Sequence, residues 1–282
     1  MMIINMLKNN SLILYIMAEN INIIKKETMQ RLLKDVRQII KHPLVDNGIY
    51  YSHDDTDMMK GYAMIVGPYE TPYFGGYYFF TFDFPFDYPF SPPKVTFLTN
   101  DGLTRYNPNL YKCGKVCVSI LNTWRGDKWS SCQTINSVLL TLCSLLNEAP
   151  LENEPGQTKS SGDFIPYQNS IEYSNINFSI CDIINPYKNN ISPHFSLFYP
   201  FMKEHFINNY DKLLEFIELK ETTVYKKNEY VSIYNMKTDI NYTILKSKLI
   251  STKEIITAET VPKLELDKTD KTDNIDEKKQ IK

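Results

Sequence analysis

The sequence predicts an α+β fold, on three observations: a helical stripe near the start, three closely spaced aromatic runs, and a second helical stripe after a long loop. From Lys25 to Lys41, the residues Met29, Leu32, Leu33, Val36, Ile39 and Ile40 share one helix face, and Pro43 marks the end. The runs Gly61–Pro68, Gly76–Phe84 and Lys94–Thr99 are rich in aromatic and β-branched residues, with turns at Gly67-Pro68 and Gly75-Gly76. In the middle run Tyr78, Phe80, Phe82 and Phe84 occupy one face, and Tyr77, Phe79 and Thr81 the other. Three strands in short succession imply an antiparallel meander with its inner face on the first helix.

A loop-rich segment runs from Thr99 to about Ser130, and Ile135, Val138, Leu139, Leu142, Leu145 and Leu146 then trace the second stripe. Glu148 to Ser161 is polar, with prolines at 150 and 155, and reads as a loop closing the domain. Beyond Gly162, Phe198, Phe201, Met202, Phe206, Tyr210, Leu213, Leu214 and Ile217 form an amphipathic stripe, and Ile240, Ile244, Leu245 and Leu249 suggest a last helix. These faces are expected to pack on the first domain rather than on a membrane or a cofactor. The expected division is an N-terminal extension (1–24), a core domain (25–160), a C-terminal helical extension (161–258) and a charged tail (259–282). The tail alternates Lys, Asp, Glu and Thr with few apolar residues, a composition that does not order itself. The apolar run Ser11–Ala18 is far short of the ~20 residues that span a bilayer. Met17 is an alternative start, because Met17-Ala18-Glu19-Asn20 leads directly into the helical pattern.

Composition narrows the function. The 282 residues carry 31 basic and 33 acidic side chains, a net charge of -2, which argues against a basic nucleic-acid surface. The five cysteines are odd in number and match no disulfide framework, which fits a reducing compartment. That means cytoplasm or nucleus, or a host's cytoplasm if the source is viral; the heavy use of Asn, Ile, Lys and Tyr reads as the coding bias of an AT-rich genome, of a protist or a large DNA virus. Three residues separate Cys113 from Cys117 and no histidine lies close by, so no metal site is expected.

The segment from Tyr106 to Leu121, Tyr-Asn-Pro-Asn-Leu-Tyr-Lys-Cys-Gly-Lys-Val-Cys-Val-Ser-Ile-Leu, carries the chemistry. Asn109 lies eight residues before Cys117, both in the loop-rich region where a scaffold usually presents reactive groups. Taken alone, a cysteine there is by default a buried, inert thiol.

This segment resembles the active-site signature of ubiquitin-conjugating enzymes: a His-Pro-Asn triplet, then Gly-x-hydrophobic-Cys-hydrophobic-Ser/Asp-hydrophobic-Leu. Gly67-Pro68, Thr71-Pro72-Tyr73 and Gly75-Gly76 match the family's strand-turn-strand pattern, and Asp87-Tyr88-Pro89-Phe90-Ser91-Pro92-Pro93-Lys94-Val95 its proline-rich turn. Trp129-Ser130 and the helix from Gln133 to Leu146 match as well, so the resemblance runs in order over about Met29–Gly156. Asn107 in place of His, the insertion around Thr123-Trp124-Arg125-Gly126, and Asn153-Glu154-Pro155-Gly156 resemble one branch. It holds the Z-type enzymes and the conjugating domain of the giant inhibitor-of-apoptosis protein BRUCE, and its members carry a C-terminal helical extension.

The resemblance implies a monomer that takes ubiquitin, or a ubiquitin-like modifier, from an activating enzyme as a thioester on Cys117. It then passes the modifier to a lysine of a protein substrate or to a ligase. No cofactor is implied, since ATP is consumed by the activating enzyme. By the same resemblance the Asn109 amide stabilises the oxyanion, Asn107, Pro108 and Gly114 support the loop, and Glu152 or Glu154 is the acidic gate for the incoming amine. Phe90 and Ser130 match the ligase-docking positions, with Ser131 and Cys132 replacing the family's Pro and Ala. Pro92-Pro93 reads as a rigid turn, Trp124 and Trp129 as packing anchors, and Cys143 as a core thiol. Two other readings remain: an inactive protein of the same fold that binds ubiquitin as a scaffold, and a cysteine hydrolase with His194 or His205 as base.

Overall fold

The computed structural model describes residues 24–188, 192–223 and 226–258. The readings of Ser11–Ala18 and Met17, and of the tail at 259–282, lie outside the described residues. The chain enters through helix α1 (Lys26–Lys41), with Glu27 in its first turn and Lys41 in its last, as the helix dipole favours. Four antiparallel strands follow in the order β1-β2-β3-β4: Ile49–His53, Lys60–Val66, Tyr77–Asp83 and Lys94–Phe97. The first of these strands was not expected. Its five residues, Ile-Tyr-Tyr-Ser-His, pair Ile49 with Ile65 and His53 with Gly61, and extend the meander by one edge.

Register fixes the faces. Phe80 pairs with Ala63 on one side and Phe97 on the other, and Phe82 with Gly61 and Val95. Tyr78, Phe80 and Phe82 pack with Leu32, Val36 and Ile39 of α1 and with Ile135, Val138, Leu139 and Leu142 of helix α2 (Ile135–Ser144). Thr134 caps α2, its hydroxyl accepting from the Ser137 N–H at 3.2 Å.

The opposite face of the sheet is buried too. Tyr62, Met64, Val66, Tyr77 and Phe79 meet Ile180, Phe195, Phe198, Met202 and Phe206 in a second apolar cluster. These partners come from the C-terminal region beyond helix α3 (Phe164–Ser174): a π-helical stretch Asn175–Asp182, a 3₁₀ stretch Pro193–Phe198, and helix α4 (Tyr199–Thr223). Continuous aromatic character in β3 is what a strand buried on both faces requires. Of the predicted stripe on α4, Phe201 departs, being 46% exposed.

Ile240 belongs to a strand, not to the last helix: β5 (Lys226–Val231) and β6 (Met236–Asn241) form a hairpin, and helix α5 begins afterwards (Tyr242–Ala258). In β6, Met236, Thr238 and Ile240 are buried and Lys237 and Asp239 exposed, a period of two that wins over the four-residue spacing of Ile240 and Ile244. No helix among the described residues is long and apolar enough to cross a membrane.

Candidate active site

The signature segment folds back on itself at the edge of β4. Tyr111 N–H donates to the Lys115 carbonyl and Gly114 N–H to the Tyr111 carbonyl, both at 2.9 Å, closing a tight turn. Phe97 N–H donates to the Gly114 carbonyl at 2.8 Å, and Thr96 bridges Lys115, so the turn is stitched to the sheet. Gly114 has φ +86, and a Cβ there would stand 2.9 Å from Thr96 Cγ2 and 3.0 Å from the Phe97 carbonyl oxygen. Only glycine meets both demands.

The turn brings Asn109 beside Cys117. Cys117 N–H donates to the Asn109 carbonyl at 2.9 Å, and Asn109 Nδ2 donates to the Cys117 carbonyl at 2.6 Å. Asn109 Oδ1 is buried and has no hydrogen-bond partner among the described residues. Cys117 itself is 1% exposed, between Val116 and Val118 of the first core cluster.

Asn107 is fully buried and uses both ends of its amide. Nδ2 donates to the Leu145 carbonyl at 2.8 Å and to the Tyr73 hydroxyl at 3.0 Å, and Oδ1 accepts from Asn109 N–H at 2.9 Å. Tyr73 donates onward to the Tyr106 carbonyl at 2.6 Å. Burial pushes the Tyr73 phenol far above its ordinary range, so it remains a donor at any working pH. Pro108, also buried, separates the two asparagines.

The profile of the ubiquitin-conjugating enzyme family matches residues 24–174, which takes in α1, the sheet, this loop, α2 and α3. That is more than half of the chain. The chain belongs to the ubiquitin-conjugating enzyme family. Among its relatives, human ubiquitin-conjugating enzyme E2 Z is 39% identical over 161 residues, covering 56% of this chain and 45% of the relative. The Xenopus tropicalis E2 Z is 43% identical over 157 residues, covering 55% and 50%. Human BIRC6, a dual E2 ubiquitin-conjugating enzyme and E3 ubiquitin-protein ligase, is 42% identical over 123 residues, or 42% of this chain and 2% of the relative. The chain thus spans about half the length of the E2 Z relatives, and the likeness places it in the Z and BRUCE branch of the ubiquitin-conjugating enzymes.

In this family member the two candidate gate glutamates have different surroundings. Glu152 is exposed, and its Oε1 accepts from Lys159 N–H at 3.2 Å. Glu154 is half-buried and accepts from the Tyr234 hydroxyl at 2.8 Å. Phe90 is 73% exposed, and Ser130, Ser131 and Cys132 are exposed as well. A network that runs from the surface into the interior ties these two stretches together. Arg31 donates to the Ser131 and Gln133 carbonyls at 2.5 Å and pairs with Asp35, which in turn accepts from Tyr88 at 2.5 Å. Trp129 is an anchor, its indole donating to the Pro89 carbonyl at 2.7 Å. Trp124 is not, contrary to expectation: it is 41% exposed, in a run of exposed residues from Asn122 to Lys128 with no core to enter.

Both histidines of the hydrolase reading pack away from the cluster that holds Val116 and Val118, the neighbours of Cys117. His194 stacks on Tyr62 and His205 lies against Tyr77, on the opposite face of the sheet. Among the described residues no group of three or more His, Cys, Asp or Glu side chains could hold a metal ion. Sequence reasoning missed Arg105, whose guanidinium lies 3.6 Å over the Tyr111 ring and whose Nη2 donates to the Pro108 carbonyl at 2.5 Å. Its position beside Tyr106 was the one available signal.

Proposed function

We propose that the chain accepts ubiquitin, or a related modifier, as a thioester on Cys117 and transfers it to an amine. The observation that carries this reading is the double tie between Asn109 and Cys117 inside a loop whose sequence and family agree. In loading, the Cys117 thiolate attacks the modifier's thioester on the activating enzyme, a new C–S bond forms, and the activating enzyme's thiolate leaves. In discharge, a lysine amine attacks the carbonyl carbon; the C–N bond forms, the C–S bond breaks, and the Cys117 thiolate takes up a proton. One N–H of Asn109 Nδ2 is engaged by the Cys117 carbonyl, and the second is free to meet the oxyanion of the tetrahedral intermediate. Of the two gate candidates we favour Glu152, whose carboxylate faces solvent while Glu154 is tied to Tyr234. The exposed Phe90 with Ser130 fits a ligase-docking surface. The 25–160 core with its extension and tail remains our domain division, the protein acting as a monomer without metal or bound cofactor in cytoplasm or nucleus.

One observation favours a second reading. Cys117 is 1% exposed, as an inert thiol in a ubiquitin-binding scaffold would be. A charging assay separates the two: purified protein, ATP, ubiquitin or a ubiquitin-like modifier, and a panel of activating enzymes on a non-reducing gel. A thiol-sensitive adduct that disappears in Cys117→Ala supports the carrier. A folded protein that gives no adduct while binding ubiquitin supports the scaffold.

A further inference from the structure

The family match ends at residue 174, yet the hairpin beyond it reaches the reactive loop. Arg105 is where they meet. Its guanidinium lies between two rings, 3.6 Å from the Tyr111 centroid and 4.7 Å from that of Tyr234. Tyr111 belongs to the signature turn, whereas Tyr234 sits in the short 3₁₀ connection between β5 and β6. Arg105 Nη2 donates to the Pro108 carbonyl at 2.5 Å, and Pro108 is the peptide between Asn107 and Asn109. The Arg105 backbone is gripped as well: its N–H points at Met236 Sδ at 3.4 Å, and its carbonyl accepts from the Tyr167 hydroxyl at 2.8 Å.

The hairpin is in turn fixed to α3. Asp163 accepts from the N–H groups of Ser232 and Ile233, each at 2.9 Å, and from the Ser232 hydroxyl at 2.7 Å. Asn169 donates to the buried Glu229 at 2.7 Å. Tyr234 therefore stands on a rigid support, with its ring on the guanidinium and its hydroxyl on Glu154. A planar cation held between two aromatic faces has little freedom to turn, so its fork keeps one direction. That direction is the Pro108 carbonyl.

We propose that Tyr234 is a positioning residue for the Asn107-Pro108-Asn109 segment, acting through Arg105. The proposal rests on the conjugating reading above. The influence of Tyr234 travels through the guanidinium to the peptide that leads into Asn109. A small displacement of such a peptide costs on the order of tenfold to a hundredfold in rate.

The test uses the full chain charged on Cys117, with single-turnover discharge to free lysine. Tyr234→Leu and Arg105→Lys should each slow maximal discharge about tenfold, with the KM for lysine and the extent of charging unchanged. Tyr234→Phe keeps the ring and should discharge at nearly the parent rate. Combining Tyr234→Leu with Arg105→Lys should add little to either alone, since both act on one path. Parent-like discharge by Tyr234→Leu, or losses that multiply in the double variant, would overturn the proposal. Hydrogen exchange supplies an arm that needs no activity. The Asn109 amide, which donates to Asn107 Oδ1, should exchange faster in Tyr234→Leu and at the parent rate in Tyr234→Phe. Unchanged exchange in Tyr234→Leu counts against positioning even if the parent never charges, whereas failure of the parent to charge removes only the conjugating reading.

Discussion

Asn109 and Cys117, eight positions apart, grip each other twice: the cysteine N–H donates to the asparagine carbonyl at 2.9 Å, and the asparagine amide donates to the cysteine carbonyl at 2.6 Å. The side chain proposed to meet the oxyanion thus also braces the Cys117 peptide. Asn109→Ala removes both services. It should still accept the modifier from the activating enzyme, since loading does not require the braced amide to meet an amine-derived intermediate. Discharge to lysine should fall about 10²–10³-fold, the usual loss for one oxyanion donor. Single-turnover discharge of the pre-charged variant measures this, and a parent-like rate would remove the assignment.

Asn107 leads to a different outcome, because its work is in the ground state. In Asn107→Ala the Leu145 carbonyl keeps the Asn153 amide at 3.1 Å and Tyr73 keeps its bond to the Tyr106 carbonyl. Asn109 N–H alone loses its partner, so the cost should be about 1–3 kcal/mol. Asn107→Asp keeps the acceptor for Asn109 but sets a buried carboxylate against the Leu145 carbonyl. Burial and that neighbour raise its folded pKa above the unfolded value of ~3.9, so the penalty grows as pH rises through that value and shrinks on acidification. Denaturant titrations at pH 4 and pH 7 should therefore rank the Asp variant below the Ala variant at neutral pH, with the gap narrowing in acid.

Gly114→Ala tests the turn that carries both residues. A left-handed φ in a non-glycine residue, plus a methyl 2.9 Å from Thr96 Cγ2, should cost roughly 1–3 kcal/mol. Adding Thr96→Ser removes that methyl contact but leaves the backbone strain and the Phe97 carbonyl at 3.0 Å. Partial recovery of the denaturation midpoint is expected; full recovery would mean that φ costs nothing here.

Asp163 makes the hairpin's attachment sensitive to acid. Burial pushes its carboxyl up, but the hydrogen bonds from Ser232 and Ile233 outweigh this and hold it below the usual 3.8. A lowered folded pKa means that the carboxylate stabilises above the unfolded value and that this contribution is lost as pH falls through the folded one. The stability difference between the parent and Asp163→Asn should be flat from neutral pH down to about 5, then shrink below about pH 4. A difference that stays constant into that range would separate the anchor from its charge.

How much of this was legible in sequence depends on the length scale of the signal. Helix α1, α2 and the three strands β2 to β4 announce themselves by period and punctuation, and Asn109 and Cys117 by a short ordered motif. The hairpin does not. β5 reads Lys-Lys-Asn-Glu-Tyr-Val, poor in β-forming residues, and its Glu229 is buried only because Asn169 and Lys227 meet it. Nothing local foretells a partner sixty positions away. The same holds for Tyr234 on Arg105 and for Tyr73 under Asn107, contacts set by topology rather than by spacing. β6 was legible in principle, since Met236, Thr238 and Ile240 alternate with charges, but Ile240 and Ile244 imitate a helix face across its end.

Burial sorts the five free cysteines, and their alkylation order is the last consequence. Cys113 and Cys132 are exposed, Cys143 is half-buried, and Cys117 and Cys181 are each 1% exposed. Burial pushes the Cys181 thiol up to about 12, so at pH 8 only about 10⁻⁴ of it is thiolate. In native protein treated with a maleimide, Cys113 and Cys132 should label first and Cys181 last, while Cys117 waits on local opening of its loop. Peptide mapping over time gives the order directly. Gly114→Ala strains that loop and should accelerate Cys117 without changing Cys113's place at the front. If Cys117 labels in the free protein as fast as the exposed pair, the loop opens without a partner and its burial is no barrier to loading. If it stays protected until the activating enzyme is added, uncovering the thiol is part of the loading step.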